Sequence, residues 1–237
     1  MNQTKLSHLF KKYRVVGVVG NPNSCKSSLS LFKLIELKKE YPTINIYVFG
    51  VEPCLYKKLE ERGIKILYNK EDIFDLKIKN SVIYVDEFGD FFSVHTKDKQ
   101  LERVRRFFNR IYHLNNWFVL STAQSGFWNK FMSGIVSCFL VKEIEWDNLV
   151  NGTPIKRKIK GLPNTSDYRL ECEKGTYYVV NNELTEKCKF PYVKDLDSKK
   201  HLVNPFCEKK YENKKVKQKV KPLNNENNNL NTKHPLK

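Results

Sequence analysis

The sequence is short of the features that mark secreted, metal-binding or membrane-spanning chains. Its six cysteines form no CxxC pair, and no cysteine or histidine spacing matches a zinc site. The first residues, MNQTKLSHLFKKYR, contain no apolar signal region, and no stretch approaches the roughly 20 apolar residues that span a bilayer. We therefore expect a cytoplasmic protein with reduced thiols, of which Cys54 and Cys138 should be buried because apolar residues surround them.

Acidic residues are scarce relative to basic ones. The 237 residues contain 43 lysines and arginines against 26 aspartates and glutamates, which gives a formal net charge of +17. Nine lysines and three glutamates fall in residues 208–237, so this tail carries +6 and the rest of the chain +11. Such an excess favours a polyanionic partner, and nucleic acid is the commonest partner of that kind. The alternative is that the lysines are only solvated and bind nothing.

The chain up to residue 145 alternates apolar runs with helical patterns. Apolar, β-branched runs predict strands at 15–19, 46–49, 65–68, 81–86, 117–122 and 138–141. Apolar residues at helical spacing predict helices near 29–37, 53–59 and 101–112. This alternation indicates an α/β fold with a mainly parallel sheet and helices on both faces.

The sequence beyond Asp147 has a different character. Residues 151–166 are polar and contain two prolines and two glycines, which predicts a surface loop. Two stretches, 168–172 and 176–180, flank Glu-Lys-Gly and predict a C-terminal β-hairpin within about 165–185. We expect one domain over 1–207, followed by a disordered, lysine- and asparagine-rich tail over 208–237.

One turn-rich segment between a predicted strand and a predicted helix matches a phosphate-binding loop. Only the second glycine of G-x-x-x-x-G-K-[ST] is missing from the run Gly20, Asn21, Pro22, Asn23, Ser24, Cys25, Lys26 and Ser27, which Ser28 follows. Such a loop cradles phosphates with backbone N–H groups at a helix N-terminus. We predict that Lys26 reaches the β- and γ-phosphates and that the Ser27 hydroxyl binds Mg²⁺.

The residue before the lysine departs from the pattern, because Cys25 stands where glycine is usual. A Cβ at this position limits how closely the backbone approaches the phosphates, and it disfavours a positive φ. Cysteine is small, so we expect weakened or reshaped binding rather than its loss. The substitution also places a potentially reactive thiol at a helix N-terminus.

Two carboxylates, Asp86 and Glu87, end the apolar run SVIYV that starts at Ser81. A strand of a parallel sheet aims its carboxyl end at the ligand crevice. We predict that Asp86 binds Mg²⁺ and that Glu87 orients or polarises the attacking water. The pair is more specific here than it would be alone, because it follows a phosphate-binding loop by about sixty residues.

A third run, WFVLSTAQ, ends in polar residues with Gln124 at its tip. Together VGNPNSCKSS, VIYVDE and this run resemble the Walker A, Walker B and sensor strands of the FtsK–HerA superfamily. That superfamily includes the genome-packaging ATPases of membrane-containing double-stranded DNA viruses, and the resemblance covers about residues 12–145. It implies a RecA-like fold whose sensor strand lies between the two Walker strands, and it implies that Gln124 contacts the γ-phosphate or the water.

The resemblance also implies an activity and partners. It predicts a homo-oligomeric ring that hydrolyses Mg-ATP to translocate double-stranded DNA, most specifically in viral genome packaging. A capsid or portal partner and a location in the host cytoplasm or virion would follow. Zot-like phage-assembly or secretion ATPases and superfamily 3 helicases have similar motifs and are the alternative enzymes. A degenerate P-loop module that binds nucleotide and DNA without turnover is the alternative outside enzymes, and Cys25 favours it.

Arginines recur on one face of the predicted helix 101–112. Arg103, Arg106 and Arg110 are spaced i, i+3, i+7, on a face distinct from the apolar stripe. Ring-forming ATPases complete each site with an arginine from the neighbouring subunit, so these three are candidates for such a catalytic finger. Contacts to DNA phosphates and a merely solvated basic face are the other interpretations.

Overall fold

A mainly parallel sheet of eight strands organises the chain. The structure, a computed structural model, describes residues 4–74, 77–91, 98–123, 134–145, 159–163, 165–173, 175–181, 183, 185–191 and 196. All of them belong to one compact unit, Met1–Lys199. Residues 208–237, and with them the predicted boundary after residue 207, lie outside the described residues, as does most of the predicted loop 151–166.

Strands and helices alternate through the first part of the chain, as predicted. The strands are β1 (Val15–Val19), β2 (Asn45–Phe49), β3 (Lys65–Ile66), β4 (Ser81–Val85), β5 (Trp117–Thr122) and β6 (Cys138–Val141). The helices are α1 (Leu6–Phe10), α2 (Lys26–Glu40), α3 (Tyr56–Glu60), α4 (Phe88–Phe91) and α5 (Asp98–Arg110), with 3₁₀ turns at Pro53–Leu55 and Lys70–Phe74. Four short strands follow, namely β7 (Ile144–Glu145), β8 (Arg169–Leu170), β9 (Thr176–Asn181) and β10 (Thr185–Lys189).

The strand order of the main sheet is β10-β9-β6-β1-β5-β4-β2-β3. The six strands β1 to β6 run parallel, whereas β9 pairs antiparallel with β6, and β10 pairs antiparallel with β9. The order places β5 between β1 and β4, which confirms the predicted position of the WFVLST strand. The carboxyl ends of β1, β4 and β5 therefore meet at one edge of the sheet.

Apolar clusters lie on both faces of the sheet. On one face, α2 packs Leu29 and Leu34 against Val16 and Val18 of β1. On the other face, the alternate residues of β1 belong to one cluster with the apolar side of α5, which consists of Val104, Phe107, Phe108 and Ile111. Phe107 and Phe108 contact Phe118 of β5 there. Strands covered on both faces need apolar residues at every position, and this explains the continuous runs in the sequence.

The C-terminal hairpin is present, but its strands differ from the predicted pair. β9 pairs with β10, whereas the region 168–172 contributes β8, which pairs with β7 in a separate two-stranded sheet. The prediction that 168–172 pairs with 176–180 is therefore wrong. All six residues of β9 are buried, and β6 and β10 flank β9 on its two sides, so β9 leaves no edge for residues 168–172.

The structure bears on two expectations from the sequence, the burial of two cysteines and the lack of a membrane-spanning helix. Cys138 is buried, as predicted, whereas Cys54 is exposed because the Pro53–Leu55 turn directs the next residue, Leu55, into the core instead. Among the described residues, no helix combines the length and apolarity that crossing a bilayer requires.

Candidate nucleotide-binding site

The loop of residues 20–25 joins the end of β1 to the start of α2. A Cβ on Gly20 would lie 2.6 Å from Ser24 Oγ and 2.7 Å from the Cβ of Lys142, so only glycine fits. The loop closes on itself because the Ser24 N–H donates to the Asn21 carbonyl at 3.1 Å. It is also attached to the segment after β6, since the Asn21 N–H donates to the Glu143 carbonyl at 2.6 Å.

Cys25 occupies the left-handed region, with φ 67° and ψ 32°. This conformation explains why glycine is usual at the position, because a residue with a Cβ is strained there by roughly 1–2 kcal/mol. The side chain is half-buried and packs against the apolar cluster beneath α2. Cys25 makes no side-chain hydrogen bond that caps α2, so this side chain leaves the N–H groups of the first turn available to a ligand.

Lys26 begins α2 and turns its side chain back over the loop. The side chain is only 4% exposed, and its Nζ donates to the Asn21 carbonyl at 3.1 Å. The same Nζ lies 3.4 Å from Glu87 Oε1. The hydroxyl of Ser28, by contrast, donates to the carbonyl of Leu196 at 3.1 Å. Ser28 could therefore contribute to phosphate binding only through its backbone N–H.

Ser27 and Asp86 meet across the sheet edge, although 59 positions separate them. Ser27 Oγ donates to Asp86 Oδ2 at 2.7 Å. The Asp86 carboxyl is buried, which raises its pKa, and the hydroxyls of Ser27, Tyr84 and Ser121 partly offset this increase. The structure thus joins the two residues that the sequence assigned to one metal ion.

Gly50, directly after β2, supports Asp86 from the other side, and the sequence reasoning missed it. The Asp86 N–H donates to the Phe49 carbonyl at 2.9 Å. Gly50 has φ 79°, and a Cβ there would lie 2.9 Å from the carbonyl oxygen of Asp86. A glycine at the carboxyl end of a predicted strand was the available signal.

Glu87 connects the loop to the end of β5. Its Oε2 accepts a hydrogen bond from the Ala123 N–H at 2.9 Å, while its Oε1 faces Lys26. Its backbone has φ 43°, which is strained for a residue with a side chain. Strain of this kind concentrates at functional sites, where the surrounding structure enforces it.

The donor set at this edge fits Mg²⁺ and phosphate. Ser27 and Asp86 supply one hydroxyl and one carboxylate, which are the hard oxygen ligands that Mg²⁺ takes besides phosphate and water. In the described ranges, no cluster of three or more His, Cys, Asp or Glu could hold a metal without such extra ligands. The buried Ser24 hydroxyl, inside the loop, has no hydrogen-bond partner in the described part of the chain.

The remaining predicted site residues are Gln124 and the three arginines of α5. Gln124 lies outside the described residues, although β5, which leads to it, ends beside Glu87. Arg103, Arg106 and Arg110 are exposed on α5, opposite its apolar side. Arg106 pairs with Glu102 at 3.1 Å, and within the described part of the chain neither Arg103 nor Arg110 forms a hydrogen bond or ion pair.

Comparison with known proteins gives similarity in structure but not in sequence. No family model and no curated protein matches the chain. The genome packaging NTPase B204 from Sulfolobus turreted icosahedral virus 2, in complex with ATP-gammaS, matches with a TM-score of 0.53 at 13% identity, over 76% of this chain and 98% of that one. Its sulfate complex matches with a TM-score of 0.56 at 14% identity, over 75% and 96% of the two chains.

A secretion ATPase has a similar fold. The cytoplasmic domain of the Thermomonospora curvata Type VII Secretion ATPase EccC matches with a TM-score of 0.51 at 13% identity, over 78% of this chain and 24% of that one. The chain therefore has a RecA-like α/β fold of the P-loop ATPase kind. The predicted resemblance to the FtsK–HerA type and to viral packaging ATPases is confirmed at the level of the fold.

Proposed function

We propose that this chain binds Mg-ATP and hydrolyses it, and that hydrolysis drives translocation of double-stranded DNA. The observation that carries the proposal is the convergence of four side chains at one edge of the sheet. Ser27 donates to Asp86 at 2.7 Å, and Lys26 lies 3.4 Å from Glu87. Phosphoryl transfer requires a phosphate-binding loop, a carboxylate that binds the metal and a second carboxylate that contacts the attacking water.

Each residue has a role that its position supports. Lys26 neutralises the β- and γ-phosphates, with the loop N–H groups around it. Ser27 and Asp86 bind Mg²⁺, which supplies further positive charge to the phosphates when it is bound. Glu87 is the general base, because its side chain is 41% exposed and can reach a water outside the loop. Gln124, two positions after β5 in the sequence, would contact the γ-phosphate or the water.

Two observations favour DNA as the substrate of the motor. The chain carries a net charge of +11 even without residues 208–237. The fold also matches 98% of the length of a genome packaging NTPase, whereas it matches 24% of the secretion ATPase domain. We therefore propose viral genome packaging by a homo-oligomeric ring, with a capsid or portal partner, ahead of secretion.

The proposal is tested by measuring ATP turnover with and without double-stranded DNA. We expect turnover that requires Mg²⁺, increases with DNA and loses this increase at high salt, because phosphate contacts release counterions. The Lys26→Ala variant is the control for contaminating ATPases. Turnover that DNA leaves unchanged would contradict DNA translocation but retain the ATPase.

A second candidate function is nucleotide and DNA binding without turnover. The strained left-handed backbone at Cys25 favours it, because the Cβ lies in the loop that must approach the phosphates. This function predicts ATP binding that is retained and turnover that stays at the background level of Lys26→Ala, with or without DNA.

A further inference from the structure

Two hydroxyl groups are buried beside Asp86. The side chains of Tyr84 and Ser121 are both 0% exposed. Neither hydroxyl completes a hydrogen bond of normal geometry in the part of the chain that the structure describes, although both lie near enough to the Asp86 carboxyl to lower its pKa. A buried hydroxyl without a well-formed hydrogen bond lowers stability, so phenylalanine and alanine would be the more stable choices at these positions.

The strand geometry places both hydroxyls on the side of Asp86 that faces α2. Residues alternate along a strand, so Tyr84 and Asp86 share a side, and Tyr84 belongs to the apolar cluster beneath α2. The register pairs Val85 with Leu120, which puts Ser121 next to Asp86 on the neighbouring strand. The Glu87 side chain, directly after Asp86, accepts a hydrogen bond from the Ala123 N–H, so the segments that follow the two strands also lie close together.

Binding a cation would leave the Asp86 carboxylate with fewer hydrogen-bond donors. Its Oδ2 accepts from Ser27, and its Oδ1 accepts from the Glu87 N–H at 3.2 Å. If the Ser27 oxygen turns to a cation, Oδ2 loses its hydrogen-bond donor. Carboxylates that ligate metals are normally oriented by outer hydrogen bonds, and removing these typically lowers metal affinity 10–100-fold.

We propose that Tyr84 and Ser121 are positioning residues, whose hydroxyls hold the Asp86 carboxylate in the orientation that binds the divalent cation. The inference rests on the proposed function, since it concerns the metal of that site. In this role, loss of either hydroxyl lowers metal affinity without lowering stability. A purely structural role would lower stability instead.

The test measures Mn²⁺ binding to the protein–ADP complex by electron paramagnetic resonance, alongside ADP affinity in EDTA and thermal unfolding. Mn²⁺ takes the same oxygen ligands as Mg²⁺. We expect Tyr84→Phe and Ser121→Ala each to weaken Mn²⁺ binding about 10-fold, with ADP affinity in EDTA unchanged and Tm unchanged or higher. Ser121→Thr, which keeps a hydroxyl, should retain the wild-type Mn²⁺ affinity.

Tyr178→Phe is the matched control, because the Tyr178 hydroxyl donates to the Pro163 carbonyl and Tyr178 lies on β9. It should lower Tm and leave Mn²⁺ binding alone. Wild-type Mn²⁺ affinity in both Tyr84→Phe and Ser121→Ala would overturn the positioning role while leaving the nucleotide site intact. A wild-type protein that binds neither ADP nor Mn²⁺ would overturn the proposed function, and this inference with it.

Discussion

The carboxylate of Glu87 lies between the Lys26 ammonium, 3.4 Å from Oε1, and the Ala123 N–H, which donates to Oε2 at 2.9 Å. The proposed base thus contacts both Lys26, at the start of α2, and Ala123, directly after β5. A phosphate that reaches Lys26 competes with this carboxylate, because both are anions that need the same ammonium. In the proposed function, nucleotide binding would therefore release Glu87 from Lys26.

Glu87→Gln should separate binding from hydrolysis. The amide cannot accept a proton from water, so turnover should decrease by about 10²-fold or more. ATP binding should be at least as tight as in the wild type, because the anion that competes for Lys26 is gone. Equilibrium binding of a fluorescent ATP analogue and steady-state phosphate release measure the two effects. Retained turnover would assign the base to another residue.

Lys26→Ala should abolish ATP binding, because the phosphates lose their charge partner inside the loop. Lys39→Ala is the matched control, since Lys39 lies on the same helix, is exposed and has no ion-pair partner in the described ranges. Calorimetric titration with ATP should detect no binding for the first variant and wild-type affinity for the second. Near wild-type affinity in Lys26→Ala would show that the loop is not a phosphate site.

Cys25→Gly should stabilise the loop and improve nucleotide binding or turnover. Glycine adopts φ 67° without the roughly 1–2 kcal/mol of strain that a Cβ causes. Cys25→Ala separates this effect from loss of the thiol, because alanine keeps the Cβ and should leave both properties near wild type. Denaturant unfolding and ATP titration compare the three proteins. If the two variants behave alike, backbone strain at this position has no consequence.

Gly50→Ala should weaken the metal site more than it weakens the fold elsewhere. The new Cβ would lie 2.9 Å from the Asp86 carbonyl oxygen, and the position has φ 79°. Gly63→Ala is matched for backbone strain at φ 71°, but its Cβ would meet only the flexible Lys38 side chain at 3.1 Å. We expect both variants to lose about 1 kcal/mol from strain. Only Gly50→Ala should raise the Mg²⁺ concentration needed for half-maximal turnover, and an equal increase in Gly63→Ala would remove the special role of Gly50.

A catalytic arginine on α5 that acts in trans should be detectable by mixing variants. Arg103→Ala, Arg106→Ala or Arg110→Ala should bind ATP but fail to turn it over. Mixed with inactive Glu87→Gln protein, the responsible variant should recover some activity, because mixed rings contain interfaces that join an intact Glu87 to an intact arginine. Native mass spectrometry first verifies that subunits exchange. Mixed rings without recovery for all three would leave α5 a basic face.

Local patterns in the sequence were sufficient to predict most of the sheet and the core of the site. The run VVGVV predicts a strand that is buried on both faces, because a strand with one face in water would alternate apolar and polar residues. The spacing of Lys26 and Ser27 within the loop pattern is likewise a local property. Asp86 could be assigned because carboxyl ends of parallel strands meet at one edge, which follows from the α/β alternation alone.

The tertiary structure decided what depends on contacts between distant segments. Which strand pairs with β9 is a competition between segments for a sheet edge, and a turn signal such as Glu-Lys-Gly carries no information about the competitor β10. The contact of Gly50 with Asp86, the attachment of Glu87 to Ala123 and the burial of the Tyr84 and Ser121 hydroxyls arise only when β2, β4 and β5 lie side by side. The sequence was sufficient to select the candidate site residues, because that selection depends on side-chain type and local spacing. The contacts between these residues depend on packing, because the pairing of whole strands decides which residues are neighbours in space.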